Sequence, residues 1–391
     1  MGSLDGDAAT SPSFSSTGSS GDGNGGGGGG GRVGIYACFA LGGSNSLECY
    51  EPGANTWRRV GELPGVPDGH VLKGFAVVAL GDFVYVIGGR LCRRERGGGG
   101  EYRDTDVDVR GDVVRGRCAP LLVPRFDFAC APCGGRICVA GGQRSLSGAR
   151  GTAAAEVFDA DKGGWSRLPD MSTRRYKCVG VTWHGRFHVV GGFAESTSSS
   201  SPAAAAADEA AAAPPGRATA LLLLLPQSSA LERSSAEVFD CARGVWEIIP
   251  GDLDVPPNQI VAVAGRLLSS GDCLNSWKGH VEVYDGELNI WSIMDHSAMP
   301  DMPLLAALPP SAQRRYHTMA VVGNQLYFLA GYQVAAGGDG GFRTVSLVHS
   351  FDTSANPGLM PPWRSFQPTM DQDGVEDGSK ELFSQCCSVQ L

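Results

Sequence analysis

The chain has 391 residues, and its 57 glycines and 23 prolines make up about a fifth of it, against roughly 12% in average proteins, which argues against a helical bundle. Charged residues account for only 19% of the chain and the formal net charge is -9, so an extended basic surface for nucleic acid is not expected. The length allows two or three domains, but a repeat architecture can fill it as one unit.

Two segments have biased composition. Residues 1–31 are mainly Gly, Ser, Asp and Ala and end in seven consecutive glycines. Such a composition buries too little apolar surface to offset the entropy of ordering, so we expect this segment to be disordered. Residues 195–233 contain runs of Ser, Ala and Leu and interrupt a regular pattern, which predicts a low-complexity loop insertion.

The cysteines and the apolar runs bear on location. Twelve cysteines are spread along the chain and no apolar signal sequence precedes them, which favours a reduced compartment, cytoplasmic or nuclear. The most apolar run, which includes Leu221–Leu225, is closed by Pro226 far short of the roughly 20 residues that a membrane helix needs. We therefore expect neither a membrane span nor a membrane partner.

The rest of the chain, residues 32–391, repeats one pattern: an apolar strand, a turn, a second strand ending in glycine, a strand resembling Glu-Val-Phe-Asp, and a strand with Trp. Six copies of the second strand occur, and their final glycines are 46 to 79 residues apart. The repeat glycines are Gly42, Gly43, Gly88, Gly89, Gly141, Gly142, Gly191, Gly192 and Gly331. The repeat tryptophans are Trp57, Trp165, Trp246, Trp291 and Trp363.

This recurrence predicts an all-β fold. A period near ~50 residues with four short strands per copy is typical of a kelch β-propeller, here with six blades. The glycines permit close backbone approach, and the aromatic residues of the outer strands can pack between blades. The second copy, around residues 104–117, has lost its Trp.

The carboxyl terminus supplies a missing strand. The first copy begins directly at its second strand, whereas Cys386–Leu391 has the small apolar character of the first strands elsewhere. We predict that this segment pairs beside Ile35–Leu41 and closes the ring, which removes exposed strand edges.

The cysteines and histidines are the residues that could indicate a metal or catalytic site. Cys130 and Cys133 form a C-x-x-C pair, but residues three apart in a strand face opposite sides and no second pair has ligand spacing. The seven histidines form no local ligand motif. We therefore expect no metal, cofactor or catalytic residue. The alternative is a propeller enzyme with a metal or acid/base site in the channel.

Basic and aromatic residues open three of the first strands. Arg125 and Arg175 stand 17 residues before the second glycine of their copies, and Arg315 stands 16 before, so we expect them at one mouth of the channel. Two interpretations remain open. The arginines line a solvated rim or hydrogen-bond loop carbonyls, or they form a partner-binding surface rich in Arg and aromatic residues, which would suit an acidic partner. The candidate binding residues are Arg125, Phe126, Arg175, Tyr176, Arg315 and Tyr316.

The repeats, with PRFDFACAPCGGRICVAGG at 124–142 and the closing Cys-Cys strand, resemble plant F-box/kelch-repeat proteins. The resemblance covers about residues 33–391 outside the insertion. It implies a propeller that holds a protein substrate for an SCF-type ubiquitin ligase, possible targets being phenylpropanoid or flavonoid enzymes. It also implies an F-box for a Skp1-type subunit, which the Gly/Ser-rich residues 1–31 do not resemble. A scaffold without ligase recruitment is therefore a further alternative.

Overall fold

The computed structural model describes the repeat region with several gaps. The described residues are 33–96, 102–109, 119–146, 151–195, 235–249, 257–270, 281–288, 290–293, 304, 307–335, 342–354, 363–370 and 380–390. The segment 1–31 and nearly all of the insertion lie outside them, so the predictions for those segments stay predictions. Glu195, which we placed in the insertion, ends a strand.

The elements of the described residues are β-strands. The strands of the first half are β1 (Val33–Leu41), β2 (Ser44–Glu51), β3 (Thr56–Glu62), β4 (His70–Lys73), β5 (Ala76–Leu80), β6 (Phe83–Ile87), β7 (Arg90–Arg96), β8 (Tyr102–Val109), β9 (Ala129–Cys133), β10 (Arg136–Ala140), β11 (Ala155–Asp159), β12 (Gly164–Leu168), β13 (Arg174–Tyr176), β14 (Val179–Trp183), β15 (Arg186–Val190) and β16 (Phe193–Glu195). Those of the second half are β17 (Ala236–Asp240), β18 (Val245–Ile249), β19 (Gln259–Val263), β20 (Arg266–Ser270), β21 (Val281–Asp285), β22 (Ile290–Ile293), β23 (Gln313–Val322), β24 (Gln325–Ala335), β25 (Phe342–Asp352), β26 (Trp363–Phe366), β27 (Thr369–Met370), β28 (Lys380–Leu382) and β29 (Cys387–Gln390).

Five sheets of four or more strands form five blades of a β-propeller. Four of them are antiparallel and run in the orders β9-β10-β11-β12, β14-β15-β17-β18, β19-β20-β21-β22 and β23-β24-β25-β26, and the fifth contains β1, β2, β3, β27, β28 and β29. The second strand of a blade is buried on both faces, as in β10, where only Arg136 is exposed. Strands covered on both faces read as continuous apolar runs, which explains this part of the repeat.

The second repeat has a different layout. Its residues form two smaller sheets, β5-β6 and β4-β7-β8. The chain turns at Gly88 and Gly89, both at positive φ, and β8 pairs with β7, after the glycines, rather than with β6. We number the blades by their repeats, so that β9–β12 form the third blade and β14, β15, β17 and β18 the fourth. In the third blade the corresponding strand, β11, pairs with β10, which precedes the glycines. A sixth blade at this position therefore remains a prediction.

The carboxyl-terminal strands add to the inner edge of β1. Strand β29 pairs antiparallel with Val33–Tyr36, and β28 pairs with Phe39–Leu41. The expected neighbour of Ile35–Leu41 was one strand, whereas two short strands share this edge.

The outer-strand tryptophans lie between blades. Trp57 is 1% exposed and its ring centroid is 5.6 Å from that of Phe39. Trp165 packs on Phe158 at 5.2 Å, and its indole N–H donates to the Ala119 carbonyl at 2.9 Å. Phe39 and Phe158 belong to the same blades as these two tryptophans, whereas the hydrophobic clusters that contain Trp57 and Trp165 also include residues of a neighbouring repeat. Both rings therefore bury apolar area where two repeats meet.

Candidate functional site

Arg125 lies inside the third blade. Its side chain is fully buried and pairs with the buried Glu156 of β11. The same guanidinium donates to the carbonyls of Gly141 and Ala154, each at 2.8 Å. The Glu156 carboxylate also accepts from the Leu122 backbone N–H at 2.7 Å. The charge is therefore paired within the blade.

Arg175 repeats this arrangement in the fourth blade. Its Nε donates to Glu237 of β17 at 3.1 Å, with both side chains at most 1% exposed. Its Nη atoms donate to the Ser235 carbonyl at 3.0 Å and hydroxyl at 2.7 Å. Glu237 accepts from the Ser172 N–H and hydroxyl, each at 2.7 Å. Two repeats thus carry the same buried Arg–Glu pair.

These two arginines do not lie on a solvated rim; their guanidinium groups hydrogen-bond carbonyls, which was the other structural alternative. Phe126 and Tyr176, which follow them, are also buried, at 4% and 8% exposure. In each of these two blades, a glutamate of the third strand pairs with the guanidinium inside the blade. A buried charge needs such a partner. The spacing from the glycines was regular for this structural reason.

The repeat glycines contact the backbone of these arginines. The Gly142 N–H donates to the Arg175 carbonyl at 2.8 Å, as the Gly89 N–H does to that of Arg125. A Cβ on Gly141, whose φ is +71°, would lie 2.9 Å from the Arg175 carbonyl oxygen. Glycine is required here because the next blade approaches and because φ is positive.

Arg315 and Tyr316 differ from the other two copies. Arg315 lies at a register shift between β23 and β24, is partly exposed, and donates through Nε to Gln333 Oε1. Tyr316 is buried, packs on Phe39 at 4.8 Å, and its hydroxyl is 2.9 Å from Ser346 Oγ. Of the six candidate residues, Arg315 is the one that is not buried, and its side chain is partly exposed.

A cavity of about 420 Å³ lies where the first strands begin. Segments of all six repeats line it, including Gly74, Asp127, Lys177, Asn258, His317 and Gln385. Arg315 and Tyr316 also line it, whereas Arg125 and Arg175 do not. We call this cavity the mouth.

Backbone geometry fixes three of the mouth residues. Gly74, Asp127 and Lys177 occupy equivalent positions and have φ of +63°, +54° and +54°. The Asp127 N–H donates to the Gly74 carbonyl at 2.8 Å, and the Lys177 N–H donates to the Asp127 carbonyl at 2.7 Å. Residues in the left-handed region persist where their surroundings hold them, often at functional sites. The backbone hydrogen bonds therefore fix the positions from which the Asp127 and Lys177 side chains extend.

The charges of the mouth are mixed with a basic excess. Among its described lining residues, Lys177 and Arg315 are cationic and Asp127 is acidic. Lys177 is exposed. Burial raises the pKa of the Asp127 carboxyl, while Lys177 and Arg90 act in the opposite direction. This lining suits a carboxylate-bearing ligand better than a cationic one.

The positions of the cysteines and histidines do not favour a metal site in the described part of the chain. Cys130 lies on the channel wall, whereas Cys133 is buried near Cys241 of the next blade, so the two thiols of the C-x-x-C pair face apart as expected. Across the described ranges, no group of three or more His, Cys, Asp or Glu side chains is arranged to hold a metal ion.

Sequence reasoning missed several of these residues. Asp127 and Lys177 each follow a repeat arginine by two positions, and their shared backbone conformation is not visible in the sequence. Glu156 and Glu237 could have been found, because both precede Val-Phe-Asp in their repeats. A Glu that recurs in the same repeats as a recurring Arg indicates that the two charges are paired.

The comparison with curated proteins finds kelch proteins. An F-box/kelch-repeat protein of Arabidopsis thaliana is 34% identical over 165 residues, covering 39% of this chain and 42% of that protein. The F-box/kelch-repeat protein OR23 of Arabidopsis thaliana is 33% identical over 150 residues, which are 34% of this chain and 32% of OR23. Human Kelch-like protein 25 is 28% identical over 147 residues, 38% of this chain and 23% of that protein.

Each match covers only part of the two proteins compared. The matched part of the chain spans about two fifths or less of the length of these curated relatives. No protein-family model matches the sequence. In the described part of the chain, no helix is long and apolar enough to cross a membrane. Several Arabidopsis F-box/kelch-repeat proteins at 30–39% identity and the β-propeller fold agree with the resemblance drawn from the repeats.

Proposed function

We propose, from this resemblance to F-box/kelch-repeat proteins, that the chain is a protein-binding propeller whose mouth holds a target protein. It would act as a substrate-recognition adaptor related to the F-box/kelch subunits of SCF-type ubiquitin ligases. The chain itself would be non-catalytic, and partner subunits would transfer ubiquitin. The mouth, open and lined by Lys177 and Arg315, is the observation that carries the proposal.

The proposal includes a closed ring of six blades. The segment between β4 and β8 would serve as the sixth blade, and β28 and β29 would complete the first. The Cys386 N–H donates to Thr318 Oγ1 at 3.1 Å, and Ser388 Oγ donates to the Val321 carbonyl at 2.8 Å. These bonds between the carboxyl-terminal strand and β23 support closure. A closed ring would hold the mouth residues at fixed distances.

The partner would present an acidic segment. Lys177 is exposed, and Arg315 uses its Nε on Gln333. A guanidinium has five N–H donors, so others remain for a carboxylate, which it can bind bidentately. A cavity of about 420 Å³ accommodates a few side chains of a loop rather than a domain. The rest of the contact would form on the surrounding loops.

The identity of the target rests on the resemblance alone. Relatives of this type suggest enzymes of phenylpropanoid or flavonoid synthesis as targets. A Skp1-type subunit would bind through an F-box, which the Gly/Ser-rich residues 1–31 do not resemble. Target binding without Skp1-type binding would favour the stand-alone scaffold.

The test is a calorimetric titration with purified chalcone-synthase-like and ammonia-lyase-like enzymes. The variant Lys177→Glu/Arg315→Glu reverses both cations of the mouth. The matched control is Arg266→Glu, which reverses an exposed cation at the start of β20, at the other end of the inner strands. Loss of a binding anchor typically costs at least ~2 kcal/mol, about thirtyfold in affinity.

Three results decide the proposal. Binding by the wild type and the control, with at least about tenfold weaker binding by the double variant, supports it. Equal affinity of all three folded proteins would place the binding surface elsewhere. No binding to either enzyme class would overturn the proposed targets.

A further inference from the structure

Three cysteines meet where the third and fourth blades contact each other. Cys133 is the last residue of β9, and Cys138 lies on the neighbouring β10. Cys241 directly follows β17, in the turn before β18. The β9–β10 turn is at the end of the inner strands away from the mouth. This cluster is thus separate from the proposed binding surface.

The thiols of Cys133 and Cys241 are already in contact. Their Sγ atoms are 3.7 Å apart, and the Cys133 thiol can donate to the Gly185 carbonyl at 3.4 Å. Cys241 is exposed, whereas Cys133 is 2% exposed. A disulfide requires the sulfurs to approach to about 2.05 Å, a small movement for a residue in an exposed turn.

The Cys138 thiol hydrogen-bonds with Cys133, but the backbone positions of the two residues are less suited to a disulfide. In the ladder, Cys133 lies opposite Arg136, and Cys138 lies opposite Ala131. The two cysteines are therefore diagonal neighbours, and diagonal positions in an antiparallel pair are about 7–8 Å apart. Disulfides rarely span Cα separations beyond about 7 Å.

The surroundings favour a thiolate at Cys133. Hydrogen bonding with Cys138 lowers the pKa of the Cys133 thiol to about 6, with further lowering by Cys241, Thr182 and Arg136 against the effect of burial. Burial raises the pKa of the Cys241 thiol to about 11. The thiolate is the reactive form of cysteine.

We propose that Cys133 and Cys241 are an oxidisable pair that hydrogen peroxide converts into a disulfide between the third and fourth blades. The exposed Cys241 thiol first loses its proton to solvent. The Cys241 thiolate attacks one peroxide oxygen, the O–O bond breaks, and a sulfenic acid and hydroxide form. The hydroxide takes a proton from solvent and becomes water.

The second step forms the bond. The Cys133 thiolate attacks the Cys241 sulfur, the S–O bond breaks, and hydroxide leaves and takes a proton from solvent. Overall, two sulfurs lose one electron each and one peroxide becomes two waters. A dithiol reductant reverses the bond by thiol–disulfide exchange. The link closes a loop between residues 108 positions apart and ties two blades together.

The test is peptide mapping of the full chain after peroxide treatment, with free thiols blocked by alkylation. Trypsin cleaves after Lys and Arg, so Cys133, Cys138 and Cys241 fall in different peptides, 126–136, 137–144 and 234–243. We expect a linked pair of the first and third peptides that disappears on reduction. Fragmentation of that pair separates Cys133 from Cys130 in the same peptide.

Matched variants complete the experiment. Cys241→Ser, in an exposed turn, should fold as the wild type and form no link, whereas Cys138→Ser should still form it. The oxidised wild type should melt at a higher temperature than the reduced protein, and oxidised Cys241→Ser should show no such rise. No link from 126–136 to 234–243, or a link from 126–136 to 137–144 instead, would overturn the proposal.

Discussion

Removing the Arg175 side chain should destabilise the fold strongly. In Arg175→Ala, Glu237 stays fully buried and loses its cationic partner. The Gly191 carbonyl loses the Arg175 hydrogen bond, and the Ser235 carbonyl loses one of its two donors and keeps the Gly191 N–H. Breaking a buried ion pair by removing one partner costs about 3–5 kcal/mol. The Ser172 and Thr173 backbone N–H groups still donate to Glu237, which favours the lower part of that range.

The assay is equilibrium unfolding in urea, followed by tryptophan fluorescence. The matched control is Arg174→Ala, because Arg174 is the adjacent residue of β13 and is exposed. Exposed positions usually change the free energy of unfolding by less than about 0.5 kcal/mol. Arg175→Lys should fall between the two, since a lysine keeps the charge but cannot reproduce the planar fork of donors. Equal urea midpoints for Arg175→Ala and Arg174→Ala would refute the structural role of the buried pair.

Three further perturbations test other parts of the structure. Burial lowers the pKa of His349 to about 4, so the unfolded chain takes up the proton first and the free energy of unfolding falls as pH drops from about 6.5 towards 4. In urea titrations across that range, His349→Gln should make the free energy of unfolding depend less on pH. An unchanged pH dependence would contradict this prediction. Gly331→Ala would place a Cβ in steric overlap with the Tyr316 ring and should lower the melting temperature sharply, unlike Gly53→Ala, where a Cβ meets nothing within 4 Å. Deleting residues 384–391 should expose the edge of β1 and reduce solubility or the melting temperature, and an unchanged melting curve would count against closure.

The strands were predictable because their signals are local. Gly pairs, the Glu-Val-Phe-Asp motif and an outer Trp recur at similar spacing, and they define blades that have the strand orders expected from the repeat. The second repeat lacks the Trp, and it is also the one whose strands divide into two small sheets. The local motif therefore indicated both the fold and its least regular part.

The candidate site was less predictable because its contacts are long-range. Arg125 and Glu156 are 31 residues apart, and Arg175 and Glu237 are 62 apart with the insertion between them. Equal spacing from the glycines showed that the arginines were equivalent but not which way they point. The Cys133–Cys241 contact, across 108 residues, has no local signal at all.

A triple alanine variant of the three repeat arginines would not test binding. It would remove two buried ion pairs, so weaker capture of a target could reflect unfolding. Arg315 can be tested alone or with Lys177, because both line the mouth and neither forms a buried ion pair among the described residues.

Site-specific photo-crosslinking distinguishes target contact at the mouth from contact elsewhere on the propeller. A benzophenone amino acid placed at position 177 reports contacts of the mouth, and the same group at position 266 reports the other end of the inner strands. With a bound target enzyme, position 177 should cross-link to an acidic segment of the target, and position 266 should not. Cross-links from position 266 alone, with the same complex formed, would contradict target contact at the mouth.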